Sequence, residues 1–293
     1  MPIRVFFTGF WGGFFERTNP NHVGFFISLL SGVYAETVEV GDFNTSDVLV
    51  ENTQVSPSVR LSKRWRHTYL FSGESYIRDD MLEYDCVLRG KKTCGRVVNC
   101  PLYISYLHCN SRPFASNIQA VPKNDVLAII SNHAGRERNF FLDKLEKHMS
   151  VTYAGNYKNN TGGPIQACYN TDEFIDYVQQ FKFVIAIENS RLDNDTYITE
   201  KICHGLFAGC IPIYWGSPCV KEYFNEKRVL IIEDNSSLDS MIERMKSLND
   251  DEWLQMVNSP VFTDHGSTFG IHRIASDIRN CLKIRDQGYP NER

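Results

Sequence analysis

No stretch of this 293-residue chain approaches the 18 or so uninterrupted apolar residues of a membrane helix, so no span is expected. An excess of basic charge is also missing. Lys plus Arg number 31 against 35 Asp plus Glu, a formal net charge of −4. A mildly acidic chain lacks the field that general nucleic-acid binding requires. None of the nine cysteines forms a CxxC pair. Cys94, Cys100, His108 and Cys109 fit no common zinc spacing, so the thiols read as reduced, mostly buried small hydrophobes. Internal repeats and low-complexity tracts are absent. The glycines at Gly9, Gly12 and Gly13 form GxxGG, not the GxGxxG of a dinucleotide loop.

A basic leader followed by a long apolar core is missing too. MPIRVFFTGFWGG reads as a first strand and a Gly-rich turn, not as a signal peptide, and the cytosol is the expected location. In that setting the sequons at Asn44, Asn159, Asn194 and Asn235 read as ordinary turns. Trp11, Phe14 and Phe15 read as core, with stacking on a sugar ring as the alternative.

What is present is a globular composition, 42% hydrophobic and 23% charged, long enough for two domains or one large α/β unit. Apolar runs predict strands at 3–8, 48–50, 68–72, 84–88, 126–130, 150–153, 182–187, 211–214 and 229–232. Helical spacing places helices near 25–30 and around Phe141 and Leu145, then from a Thr171 cap through Phe181. Further helices end at Gly209, span 238–248 and close the chain around 271–284. Pro212 argues for an edge or end position of its strand. Strands alternating with helices imply βαβ units and parallel sheets. The expected division is residues 1–120, 121–270 and a C-terminal helix and tail at 271–293.

Chemistry concentrates in residues 181–218, FKFVIAIENSRLDNDTYITEKICHGLFAGCIPIYWGSP. Asn189 follows a buried strand, where open α/β sheets place ligands. Thr199, Glu200 and Lys201 open a helix, whose unpaired N–H groups and partial positive charge suit a phosphate. Lys201 adds a full charge, and Glu200 can accept from a ribose. The competing reading is a Thr199 cap with Glu200 and Lys201 solvated in the first turn.

This segment resembles the donor-binding motif of the α-1,3/4-fucosyltransferases, glycosyltransferase family 10. The family pattern is FEN, a short loop, YVTEK, a helix, then G-x-(I/V)-P-(I/V)-Y-x-G-x-P. Here it stands as IENS, RLDND, TYITEK, ICHGLFAGC and IPIYWGSP, with Ile187 and Ile198 as departures. Upstream, VLAIISNHAGRERNFFLDKL resembles the family's first strand–loop–helix of the donor domain, whose arginine falls on Arg138, with Arg136 as the rival. TYLFSGES, YDCVLRG and CPLYISYL resemble more thinly the family's strand, TGE turn, YD strand and PLY segment, with the turn carboxylate on Glu74.

The resemblance implies an α/β protein of the GT-B type, two Rossmann-like domains with an interdomain cleft, the soluble bacterial or viral kind. It implies inverting transfer of L-fucose from GDP-β-L-fucose to a glycan hydroxyl, in an α-1,3 linkage. Arg138 and Lys201 would hold the diphosphate, with Asn189, Tyr197 and Glu200 completing the pocket. Glu74 would be the general base, with Asp79 and Asp80 as competitors that better suit a helix start. Asp193-Asn194-Asp195 has the DxD form of a metal-bound diphosphate site, but it lies in the motif's variable loop, so no metal or other cofactor is expected. Two alternatives remain: a GT-B transferase using another nucleotide sugar, and a non-catalytic nucleotide-sugar-binding or lectin-like module.

Overall fold

Apolar strands that alternate with helices can bury both faces of a sheet when the strands run parallel and helices cover them. That is the arrangement here, in a computed structural model that describes residues 1–53, 58–75, 78–110, 112–169, 171–191 and 195–286. The chain divides into two units. The first holds residues 1–111, 193–197 and 267–293, and the second holds 112–192 and 198–266.

The first unit begins with β1 (Ile3–Thr8), α1 (Gly24–Tyr34), β2 (Val38–Val40), β3 (Val48–Asn52), α2 (Ser58–Leu61) and β4 (His67–Ser72). It continues with β5 (Cys86–Arg89), β6 (Val97–Asn99) and α3 (Leu102–Cys109). The strands form a parallel six-stranded sheet, ordered β2-β1-β3-β4-β5-β6. Beyond β1 the Gly-rich turn is packed with aromatics. Phe14 is 1% exposed and stacks on Phe10 at 4.0 Å, whereas Phe15 is 57% exposed. The Trp11 indole donates to the Asn21 carbonyl at 3.0 Å.

The second unit holds β7 (Asn124–Ala128), α4 (Arg136–Leu145), β8 (Val151–Tyr153), α5 (Asp172–Val178), β9 (Phe181–Ile187) and α6 (Lys201–Ala208). After these come β10 (Ile211–Trp215), α7 (Val220–Tyr223), β11 (Leu230–Ile231), α8 (Leu238–Ser247) and α9 (Asp250–Val257), and α10 (Asp264–Thr268) straddles the unit's boundary at Gly266. Its sheet is parallel and five-stranded, ordered β11-β10-β9-β7-β8. The FKFVIAI run of β9 is buried at six of its seven positions, because β7 and β10 flank it and helices cover it. Each such aliphatic or aromatic side chain contributes about 1.5–3 kcal/mol on burial.

Thr171 caps α5 as expected, its hydroxyl accepting from the Phe174 N–H at 3.2 Å, but the helix ends at Val178. Phe181 is the first residue of β9, where sheet pairing with Asn124 overrides the helical spacing. Pro212 sits near the start of β10, which is not an edge strand. Pairing with β11 begins only at Ile213, so the missing N–H of Pro212 falls before that ladder. The short strands β2 and β6 and the helix α3 were not anticipated.

The last helix, α11 (Ile271–Asp286), belongs to the first unit, where it packs on α1 and β6. Residues 195–197 also belong there. Thr196 donates its N–H to the Gly90 carbonyl at 2.8 Å. A Cβ on Gly90 would lie 2.6 Å from the Thr196 oxygen, so only glycine permits this approach. All nine cysteines are free thiols.

Candidate functional site

In the second unit β7 leads to β8 on one side, while β9 lies on the other side of β7. The order reverses between β7 and β9, and open α/β sheets bind ligands beyond the carboxyl ends of strands at such a point. Two segments leave the sheet there. One runs from β7 through Asn132 and Gly135 into α4, which carries Arg138, and the other carries Glu188 and Asn189 directly after β9.

Glu188 is the structural centre of the second segment. Its side chain is fully buried. One carboxylate oxygen accepts the Thr199 N–H at 2.6 Å, and the other accepts the Thr199 hydroxyl at 2.8 Å and the Lys201 ammonium at 2.9 Å. Burial pushes its proton affinity above the usual carboxylate range, opposed by the Lys201 charge. Lys201 Nζ also lies 3.0 Å from the Thr199 hydroxyl, and its side chain is 28% exposed. Glu188 therefore fixes the start of α6 and the direction of its lysine. Glu200, half-buried, occupies the helix N-cap, and its side chain makes no capping hydrogen bond. The Lys201 N–H lies 3.5 Å from the Thr199 hydroxyl, and the start of α6 presents the positive end of the helix, which favours an anion.

Arg138 is 7% exposed on α4. Its Nη2 donates to the Asn132 carbonyl, and its Nε, also buried, has no hydrogen-bond partner among the described residues. Burial lowers the proton affinity of the guanidinium, and among the described residues no carboxylate pairs with it. A buried cation without an anion is costly, so an anionic ligand at this place gains the compensation the protein leaves out. Arg138, Ile187 and Trp215 line one small cavity of about 10 Å³, which puts the arginine beside the end of β9. Arg136 opens α4 and is exposed.

The expected donor residues thus divide. Arg138, Asn189, Glu200 and Lys201 lie in the second unit, with Asn189 exposed just past β9. Tyr197 falls in the first unit, 7% exposed. Glu74 is exposed in the first unit, two residues past the carboxyl end of β4, where the Ser72 hydroxyl donates to its carbonyl at 3.0 Å. Asp80 pairs with Arg78 at 2.7 Å and precedes a short 3-10 turn at Met81–Glu83. Of the DxD triplet, Asp193 and Asn194 lie outside the described residues. Asp195 is 4% exposed and forms an ion pair with buried Arg89 at 2.8 Å.

Two buried titratable groups escaped sequence reasoning. Glu188 lies inside the IENS motif, and a carboxylate directly after an all-apolar strand was its signal. His204, in α6, is buried and stacks on Tyr169 at 5.0 Å, and no sequence signal marked it.

Residues 121–256 match the family model described as glycosyltransferase family 10 (fucosyltransferase), C-terminal part. That stretch is similar to the family 10 fucosyltransferases. The chain is 35% identical over 121 residues to an alpha-(1,3)-fucosyltransferase of Helicobacter pylori, covering 41% of this chain and 24% of that protein. A putative fucosyltransferase of Acanthamoeba polyphaga mimivirus is 28% identical over 149 residues, 48% of this chain and 24% of the relative. The chain thus spans about a quarter of the length of these curated relatives. A solved alpha1,3-fucosyltransferase with GDP-fucose superposes with a TM-score of 0.71 at 19% identity, over 96% of this chain and 90% of the other. At that identity the likeness carries the fold alone, two Rossmann-like units of the GT-B type. Among the described residues no helix is long and apolar enough to cross a membrane.

Proposed function

We propose that the chain transfers L-fucose from GDP-β-L-fucose to a hydroxyl of a glycan acceptor, with inversion at the anomeric carbon and an α-1,3 linkage. The observation that carries the proposal is the meeting of three positive features at the β7/β9 switch point. These are Arg138, which no carboxylate pairs among the described residues, the positive end of α6, and Lys201. As the sugar leaves, negative charge grows on the GDP diphosphate. Fixed donors aimed where charge develops act without reorganisation, and each can lower a barrier by ~3–4 kcal/mol. Asn189, Tyr197 and Glu200 serve the nucleotide and ribose in this reading. Glu74 removes the acceptor proton while the acceptor oxygen attacks the anomeric carbon, so the enzyme forms no covalent bond. No metal enters the mechanism. The Asp195 carboxylate is committed to Arg89, and the diphosphate charge is met by Arg138, Lys201 and the helix.

The decisive experiment is GDP release from GDP-fucose with and without a panel of acceptor oligosaccharides, repeated in EDTA. Acceptor-stimulated release that survives EDTA is the expected result. GDP binding without transfer to any acceptor would favour a nucleotide-sugar-binding module. Preference for UDP-sugars would favour a transferase with another donor, and strict dependence on Mn²⁺ would reopen the DxD segment.

A further inference from the structure

At the amino ends of β4 and β5 the first unit holds a pocket of about 360 Å³. Glu74 lies past the carboxyl end of β4, and a six-residue strand spans about 20 Å, so this pocket is at the opposite edge of the sheet. Its walls carry four full cations, Arg60, Lys63, Arg64 and Arg66, with His67, against the carboxylates of Glu83 and Asp85. The chain as a whole is acidic, at −4, so this is a local concentration of the opposite sign.

The carboxylates do not neutralise it. Glu83 is engaged by Arg60, and Asp85 accepts the Thr68 N–H at 2.8 Å. Lys63 is held by neutral oxygens instead, donating to the Phe43 and Ser46 carbonyls at 2.6 Å each. Its ammonium also lies 4.1 Å from the Trp65 ring centroid. The Arg66 guanidinium sits over Tyr34 at 5.3 Å. Among the described residues neither Arg64 nor Arg66 has a carboxylate partner, and both are exposed. Aromatic rings and carbonyls orient the cations without consuming their charge, which leaves them for an incoming anion.

We propose that this pocket binds a phosphate monoester. Several cations around one opening suit a group carrying about two negative charges better than a single carboxylate, and guanidinium forks match phosphate oxygens in pairs. The volume lies at the small end of ligand sites, room for one phosphorylated sugar ring and too little for a dinucleotide. The same group occurs on a free sugar phosphate and on the headgroup of a phosphatidic acid bilayer.

Titration calorimetry with glucose 1-phosphate, and sedimentation with phosphatidylcholine vesicles with and without phosphatidic acid, separate the two sources. Saturable binding of at least one probe is expected, weakened at least about tenfold in Arg64→Ala/Arg66→Ala and retained in Lys201→Ala. Arg64→Gln/Arg66→Gln, which keeps side-chain bulk, repeats the test, and melting of each unliganded variant confirms folding. Absence of saturable binding by both probes overturns the proposal. So does affinity that the arginine variants leave unchanged, or affinity that Lys201→Ala abolishes, since the phosphate would then occupy the donor site.

Discussion

The Lys201 ammonium lies 2.9 Å from a carboxylate oxygen of Glu188, a side chain with no exposed surface. A lysine at a helix start is ordinarily a solvated charge. This one is half of a pair whose other half is sealed in the protein and also holds Thr199 through two hydrogen bonds. Glu188 therefore sets where the lysine points, and the Lys201 charge opposes the rise in proton affinity that burial imposes on the carboxylate. Lys201→Ala should consequently cost stability as well as function. Leaving Glu188 without its cation should destabilise by about 1–3 kcal/mol, discounted from a fully buried pair because Lys201 is 28% exposed. Loss of the diphosphate contact should cut turnover by ~10²–10³-fold. Chemical denaturation and GDP-release rates on Lys201→Ala and Glu188→Gln/Lys201→Ala separate the two effects. The double variant should regain stability without regaining turnover. Unchanged stability and activity in Lys201→Ala would return the lysine to the solvated first turn.

Gly135 offers a test of Arg138 that leaves the arginine in place. A Cβ at residue 135 would lie 2.7, 2.8 and 3.0 Å from the three terminal guanidinium atoms. Its backbone, at φ −81° and ψ 90°, accepts alanine, and the clashing group is the tip of a flexible side chain. Gly135→Ala should therefore melt within ~0.5 kcal/mol of the parent yet push the guanidinium aside. GDP affinity measured by calorimetry should fall at least about tenfold, a loss of ~1.4 kcal/mol. Normal GDP affinity would detach Arg138 from the donor site.

His204 gives the fold a defined acid sensitivity. Burial lowers its pKa from 6.5 to about 4, opposed by the Glu200 charge and reinforced by Lys201. The folded state thus prefers the neutral imidazole. Its contribution is complete above the unfolded value of 6.5 and is lost as pH falls through the folded value of about 4. Over that window the loss is on the order of 3 kcal/mol. His204→Phe keeps a ring against Tyr169 and removes the titration. Melting temperature against pH should fall less steeply between about 6.5 and 4 in the variant than in the parent. Parallel curves would exclude His204 as the source.

Much of this fold was legible because its strands are written as apolar blocks. The run from Phe181 to Ile187 needs two covered faces, and only a central parallel strand supplies them. Strands β2 and β6 were not legible, since VEV and VVN are three residues long and become strands only by pairing with β1 and β5. The donor motif was visible as a string of residue types, but its internal wiring was not. Glu188 reaches across eleven residues to Thr199, and Asp195 pairs with Arg89 across 106. Periodicity describes neighbours on one element and is silent about such pairs. Spacing also gave no warning that residues 195–197 pack with the first unit while residues 198–201 belong to the second.

The claim of catalysis depends most on Glu74. A sugar hydroxyl is a poor nucleophile near neutral pH, so a carboxylate that takes its proton should matter by ~10²–10⁴-fold. Glu74 is exposed beyond the end of β4, a loop position open to an acceptor, and the Ser72 hydroxyl steadies its backbone at 3.0 Å. Glu51, another carboxylate near that end of the sheet, is 0% exposed and accepts the Tyr84 hydroxyl, which leaves it poorly placed to reach an acceptor. Glu74→Gln keeps the shape and hydrogen bonding of the side chain but cannot accept the proton. It should bind GDP normally and lose at least ~100-fold in transfer, measured as fucosylated product by mass spectrometry. Glu51→Gln should instead lower stability with a much smaller effect on transfer per folded molecule. Full transfer by Glu74→Gln would place the base elsewhere, with Asp79 and Asp80 next in line. A joint loss of GDP affinity and transfer would mean that Glu74 serves the structure of its loop, not the proton.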